Sequence, residues 1–407
     1  MIEKISILLR KFYKTPIIRV YWNADEYDAM SKAVQSGQIV NGSSVARLEA
    51  EIGKRFGFRA AIGTNLARSA IQTALEAVPA DGRDEVIVPS YGCSGTAQPI
   101  LQAGFKPVFC DVGTDFNVRA EDIRNAVTDR TRAAIVPGLF GKPVKWKPIT
   151  QYCKEKDIYM IDDASQVLGT PEGGKNGDVG VFSFSLGKLI SSTGGGVLCY
   201  TGKHHRPALE PESRTDVIAR AADVMLRARL RKYTLPLFSA IHVLDKRLKP
   251  HSFGYKKRAL SNLDAAIALK QLDKIDEILQ LRRKNAKMLI EQLEGVPATL
   301  PQYASGSTFS KFAILIDEKA PRDRHARGRK TTAFVRAMAR RGIECEWNYL
   351  PLHLRAPFDQ FNRGRLNNTE AMWWRSVSLP IEPDMSEDEM SHVADSAKKS
   401  FSEAGAR

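Results

Sequence analysis

DEVIVPSYGCSGTAQPILQAGFKPVFCDV, residues 84–112, is the stretch that decides the fold. Glu85–Pro89 and Pro107–Val112 are short apolar runs, and Thr96–Ala103 between them reads as a helix. A strand, a helix and a second strand in so short a span make a βαβ unit with parallel strands. The alternation continues on both sides. Further strands are expected at Ala133–Pro137, Ile158–Ile161, Val179–Phe184 and Gly196–Tyr200, and helices at Leu66–Val78, Ala120–Ala126 and Pro148–Lys156. This is the pattern of an α/β layer built on a mostly parallel mixed sheet flanked by helices, with functional loops at the carboxyl ends of the strands.

Beyond Tyr200 the alternation stops. Between Arg220 and Lys249 eight Lys/Arg residues face two Asp, interleaved with Leu, Ile, Phe and Val. Asn262–Gln292 then reads as one long helix, and a smaller α+β unit follows to about Ala397. The expected division is an N-terminal segment over 1–35, a large domain over 36–258 with a basic-apolar insertion near 201–258, and a small C-terminal domain over 259–407.

The formal net charge of +15 favours anionic partners. No nucleic-acid-binding motif accompanies it, so a nucleic-acid partner is not expected. Cys93, Cys110, Cys153, Cys199 and Cys345 form no CxxC pair and no zinc pattern. They read as reduced thiols in a cytoplasm, and no metal site is expected. No apolar stretch is long enough to span a membrane, and the opening MIEKISILLRKFYK lacks the features of a signal peptide.

Three segments carry chemistry. VFSFSLGKLISSTGGGVLCY, residues 181–200, puts one lysine, Lys188, in a Ser-rich loop closed by Gly194–Gly196. Such a lysine either forms a Schiff base with an aldehyde cofactor or is a solvated surface residue. DIYMIDDASQVLG, residues 157–169, ends an apolar strand in Asp162 and Asp163. A buried aspartate there serves a pyridine nitrogen, a metal or a helix cap. IGTNLARSAIQTAL, residues 62–75, opens a helix whose first amides suit a phosphate.

In this order the three segments resemble the DegT/DnrJ/EryC1/StrS sugar aminotransferase family, fold-type-I enzymes dependent on pyridoxal 5'-phosphate (PLP). The resemblance runs from about Ser36 to Ala397 and includes IDDASQVLG, FSFSLGK, LDAAIALKQLDKIDEILQLRR, RGIECEWNYLPLH and SLPIEPDMSEDEM. It implies that Lys188 forms the Schiff base and Asp163 pairs with the pyridine nitrogen. Gln166 is then expected beside the ring, and Ser183 with the backbone of Thr64 and Asn65 at the phosphate. Tyr349 and His353, in the Pro-Leu-His segment, are candidates to face the substrate.

Two positions depart from the family. Cys93 stands where an aromatic residue usually stacks on the cofactor, and cysteine gives less contact. In Gly254–Arg258, Lys256 stands where the family commonly carries an asparagine that reaches the phosphate of the neighbouring subunit, and Lys257 stays a second candidate. The resemblance thus implies a homodimer with its active site at the subunit interface.

The implied reaction passes through pyridoxamine 5'-phosphate. Glutamate gives up its amino group, and a keto-sugar accepts it. The acceptor expected is anionic and nucleotide-activated, destined for a surface glycan or other glycoconjugate. A related branch dehydrates sugars with a histidine in place of the lysine, and the presence of Lys188 argues against it. A PLP-dependent lyase and a non-catalytic sensor or scaffold are the alternatives. The basic-apolar stretch near 201–258 is either a helical cover or an element that approaches acidic membrane, in which case a lipid-linked sugar becomes the substrate and the cytoplasmic protein is membrane-peripheral.

Overall fold

The computed structural model describes residues 15–202, 206–226, 254–304 and 306–405. Most of the basic-apolar stretch, at 227–253, lies outside the described residues, as do the first fourteen. No described helix is long and apolar enough to cross a membrane.

Seven strands form the central sheet: β1 (Ala60–Thr64), β2 (Glu85–Pro89), β3 (Lys106–Cys110), β4 (Thr131–Pro137), β5 (Tyr159–Asp163), β6 (Val179–Ser183) and β7 (Gly196–Tyr200). Their order is β1-β7-β6-β5-β4-β2-β3. Only β7 runs against its neighbours, and the other pairs are parallel. The sheet is therefore mostly parallel and mixed, as the alternation implies.

Helices cover both faces. On one face α3 (Ala67–Glu76) and α4 (Ser94–Gln102) pack Ala70, Ile71, Leu75, Ala97 and Ile100 on Val86, Val88, Ile161 and Val181. On the other, α2 (Ser43–Phe56), α5 (Ala120–Ala126), α6 (Trp146–Glu155) and α8 (Asn262–Asp273) bury Leu48, Ile52, Ile123, Ile149 and Leu272. Every strand residue from Val86 to Pro89 is buried, which explains why these strands read as continuous apolar runs. Helix α1 (Ala24–Gln35) starts with a capping box, Asn23 with Glu26, and lies against α8. Residues 214–226 are also helical, and we call this helix α7.

The long helix expected over Asn262–Gln292 is two. It breaks at Lys274, whose ammonium is drawn to the buried Glu26 carboxylate of α1. The second part, α9 (Ile275–Gln292), changes surroundings along its length. Ile275, Ile278 and Leu279 pack in the large core, whereas Ala286 and Leu289 pack in a second core. That second core belongs to a three-stranded antiparallel sheet, β8 (Ala298–Thr299), β9 (Phe312–Ile316) and β10 (Ser376–Leu379), with α10 (Arg329–Arg340) and α12 (Glu387–Gly405). A further helix, α11 (Asn367–Arg375), leads directly into β10.

Candidate active site

Strand register brings the three chemical segments to one edge. Thr64 pairs with Gly196, and Gly196 pairs with Ser183. Asp163 pairs with Val181, two residues before Ser183. Side chains alternate between faces along a strand. Asp163 therefore shares a face with Val181 and Ser183, while Asp162 points to the opposite one. That face is the one α3 covers, and α3 begins three residues after β1 ends.

Lys188 is half-buried in the β6–β7 loop. Its amide donates to the Ser185 carbonyl at 3.1 Å and its carbonyl accepts from Ser191 Oγ at 3.2 Å, so the backbone is fixed. Among the described residues no carboxylate forms an ion pair with its amine. Asp163 is buried, and one of its oxygens, Oδ1, accepts from the Ser165 amide at 3.1 Å. Asp162 is fully buried and receives two hydrogen bonds from Asn176 at 3.2 Å. Burial, and secondarily the charge of Asp163, raises its pKa to about 7.

Helix α3 is capped by Leu66, which makes no side-chain hydrogen bond; the Ser69 amide turns back to the Leu66 carbonyl at 3.0 Å, and no side chain covers the helix end. A Cβ on Gly196 would come within 2.5 Å of the Ala67 nitrogen, so glycine is what lets β7 start against this helix end. The Asn65 amide, expected at the phosphate, is instead spent on the Arg258 carbonyl at 3.0 Å. The Ala67 amide is engaged with the Gly195 carbonyl in the Leu66–Gly195 bridge, so the open donor lies further on, at Arg68. Thr64 Oγ1 donates to the Leu66 carbonyl at 2.9 Å and shapes the turn.

The Asn65 side chain holds another predicted element. Its Nδ2 donates to the Lys256 carbonyl at 3.0 Å, and its Oδ1 accepts from the Arg258 amide at 3.1 Å. Tyr255 donates to the Arg68 carbonyl at 3.0 Å, and Lys257 pairs with Glu76. Lys256 is exposed, and no described carboxylate pairs with it. Of the two candidate lysines, it is the one left available.

A wall from the small domain closes the other side. The Gln166 Oε1 accepts from the Phe140 amide at 2.9 Å and from Ser310 Oγ at 3.2 Å. The Tyr349 hydroxyl also meets the Gln166 amide, and its ring stacks on Phe140 at 6.0 Å. Phe140 reaches this place through a left-handed backbone, φ 57°, followed by Gly141 at φ 78°. A Cβ on Gly141 would collide with Thr308. Lys311 lies over the Tyr349 ring and pairs with Glu346. It feels the charge of Lys188, and burial holds its pKa below the usual lysine range. Cys93 is exposed at the N-cap of α4.

His353 goes elsewhere. It is 1% exposed, with Nδ1 2.5 Å from Ser90 Oγ and Nε2 3.3 Å from Arg324. Burial lowers its pKa. Both ring nitrogens are engaged, so the segment supplies Tyr349 to the wall and His353 to the packing behind it. Sequence reading missed Phe140, Ser310, Lys311 and Glu346, which lie far from the three motifs in the chain. The described residues hold no cluster of metal-ligand type.

A loop lysine at the carboxyl edge of such a sheet, with a buried aspartate on the adjacent strand, is the architecture of PLP-dependent enzymes. The chain belongs to the DegT/DnrJ/EryC1/StrS aminotransferase family, which it matches over residues 21–398. It is 24% identical to the GDP-perosamine synthase of Vibrio cholerae, over 95% of this chain and 99% of that one. It is 26% identical to the GDP-4-keto-6-deoxy-D-mannose 3-dehydratase of Yersinia pseudotuberculosis, over 81% of this chain and 83% of that one. Helicobacter pylori PseC, an aminotransferase involved in the biosynthesis of pseudoaminic acid, has the same fold, with a TM-score of 0.76 at 21% identity over 96% of this chain and 100% of that one. The protein is thus an aminotransferase that uses PLP.

The residues present fit that cofactor. Lys188 offers an amine without a carboxylate partner, α3 presents its N-terminal end with the Arg68 amide beside Ser183, and Gly196 leaves the approach clear.

Proposed function

We propose that the protein moves an amino group from glutamate to a nucleotide-activated keto-sugar, and that its product enters a surface glycan or glycoconjugate. The observation that supports this most is the amine of Lys188, held at the sheet edge by a fixed backbone and free of any described carboxylate. When bound, PLP supplies an aldehyde for Schiff-base exchange and a ring that withdraws electrons. Lys188 is the base that carries a proton between the reacting carbons, a role that suits an amine no carboxylate holds in its protonated form. Asp163 holds a proton on the ring nitrogen. The Arg68 amide at the start of α3, with Ser183, holds the phosphate. Gln166, fixed by Phe140 and Ser310, buttresses the ring, and Tyr349 covers Gln166. Lys256 completes the phosphate site of a neighbouring subunit in a homodimer, as a point charge.

The test is the absorption spectrum of the PLP-loaded protein before and after glutamate. Conversion of the Schiff-base band to the pyridoxamine form is expected. A band that ignores glutamate but responds to a keto-sugar would favour dehydration, the reaction named for the Yersinia relative. A protein that takes up no PLP would end the catalytic reading.

A further inference from the structure

Lys311 is a second lysine in the site, and the reaction as described gives it no task. It enters from the small domain, next to β9, directly after Ser310, which bonds Gln166. Its ammonium lies 5.9 Å from the centre of the Tyr349 ring and is paired with Glu346. Tyr349 stacks on Phe140 and touches Gln166. Lys311 also feels the charge of Lys188. A cation is thus set over Tyr349 and beside Gln166, within electrostatic reach of the reacting amine.

Its partner is unusual for a structural pair. The Lys311 side chain is 18% exposed and that of Glu346 29% exposed, so the pair is largely buried but not sealed from solvent. The ordinary role of a lysine–glutamate pair is to fasten two segments. Here the segments are already fastened. Glu346 exchanges both backbone hydrogen bonds with Ser378, at 3.1 and 2.9 Å, and Lys311 immediately precedes β9, whose Phe312 onward is paired in register with β10. The pair is therefore free to serve a ligand.

We propose that Lys311 is the receptor for a carboxylate of the amino donor, and that Glu346 is an internal carboxylate that occupies it until the donor arrives. This rests on the reading of glutamate as donor. A lysine suits the task as a mobile point charge, able to leave one carboxylate for another without a fixed fork geometry. Tyr349 supplies a ring face along which the ammonium slides. Removing the cation then weakens donor binding, whereas removing Glu346 removes a competitor and strengthens it. A merely structural pair would respond to both changes alike.

The experiment is calorimetric titration of the PLP-loaded protein with glutarate, a dicarboxylate that has the donor's charges but no amino group to react. Wild type, Lys311→Gln, Lys311→Arg and Glu346→Gln are compared, with bound PLP measured after release in alkali. Lys311→Gln should weaken glutarate by about tenfold or more, the loss of one charge-assisted hydrogen bond. Lys311→Arg should retain most of the affinity, and Glu346→Gln should bind glutarate several times more tightly. Equal affinity in wild type and Lys311→Gln, with PLP content unchanged, would overturn the proposal while leaving the glutamate reading intact. So would weakening by Glu346→Gln. A wild-type protein that neither binds glutarate nor converts its spectrum with glutamate would remove the donor reading, and the proposal with it.

Discussion

Asp162 and Asp163 are neighbours in sequence and opposites in chemistry, because a strand turns them to different faces. Asp163 faces the helix end and the lysine loop. Asp162 faces the interior, with Oδ2 held by Asn176 and Oδ1 without a partner. Burial raises its pKa to about 7 from the ordinary 3.8. The folded protein thus keeps this proton at pH values where the unfolded chain has released it. The stabilisation is complete below about pH 4 and is lost as pH rises through 7, by an amount on the order of 4 kcal/mol. Asp162→Asn, which cannot ionise, should remove this slope: urea unfolding at pH 5 and pH 8 should show wild type losing stability relative to the variant. Parallel behaviour of the two would mean that Asp162 is ionised in the fold. The resemblance read from the sequence pointed to Asp163 as the aspartate of the ring. The burial of the other follows from β6 and the 174–177 turn packing over it, which no local pattern announces.

Among the elements, α7 has the clearest assignment. Its Arg220 makes a two-pronged bond to Glu212 at 2.8 Å and a third to Asp264 at 2.5 Å. Asp264 is fully buried and also takes hydrogen bonds from Ser192, Thr193 and Ser261. A Cβ on Gly194 would come within 2.7 Å of the Arg220 side chain. The glycine run after Lys188 is therefore held from behind by a guanidinium. Arg220→Met leaves two buried carboxylates without their cation and should cost about 3–5 kcal/mol in urea unfolding. Adding Asp264→Asn should recover part of it, because the two changes act on one network. PLP should also leave the single variant faster, as its loop loses its support. Elements as such were legible where burial on both faces makes an apolar run, and β2, β6 and β7 fall within a residue of expectation. Strand β1, AAIGT, has too little apolar bulk to stand out. The break at Lys274 depends on Glu26, some 250 residues away in the chain, and so cannot be read locally.

In the whole molecule, two cores meet along α9, and the site lies where the small unit touches the large one. Thr308 Oγ1 donates to the Gln166 carbonyl at 2.6 Å, and Ser310 and Tyr349 meet its side chain. The three motifs of the large unit were legible because each is a local strand-end pattern. The wall opposite them was not, since Phe140, Lys311 and Glu346 acquire meaning only when the two units close. The proposed homodimer adds a third level. Asn65 fixes the backbone of Lys256 on both sides while the Lys256 side chain stays exposed, so the segment is shaped before any partner arrives. If Lys256 serves a neighbouring subunit, Lys188 and Lys256 of one site come from different chains. Subunits carrying Lys188→Ala and subunits carrying Lys256→Ala are then each impaired alone. A twofold dimer formed from one of each has one site with both lysines intact. Random exchange of the two should restore about a quarter of wild-type sites, since half the dimers are mixed and each mixed dimer has one good site of two. The measurement is glutamate-driven conversion of the PLP band after the variants are unfolded and refolded together, against each refolded alone. Recovery to about a quarter would place Lys256 in the partner's site. Activity no higher than the average of the separate variants would mean that both lysines serve the same chain, and the interface reading would have to be given up.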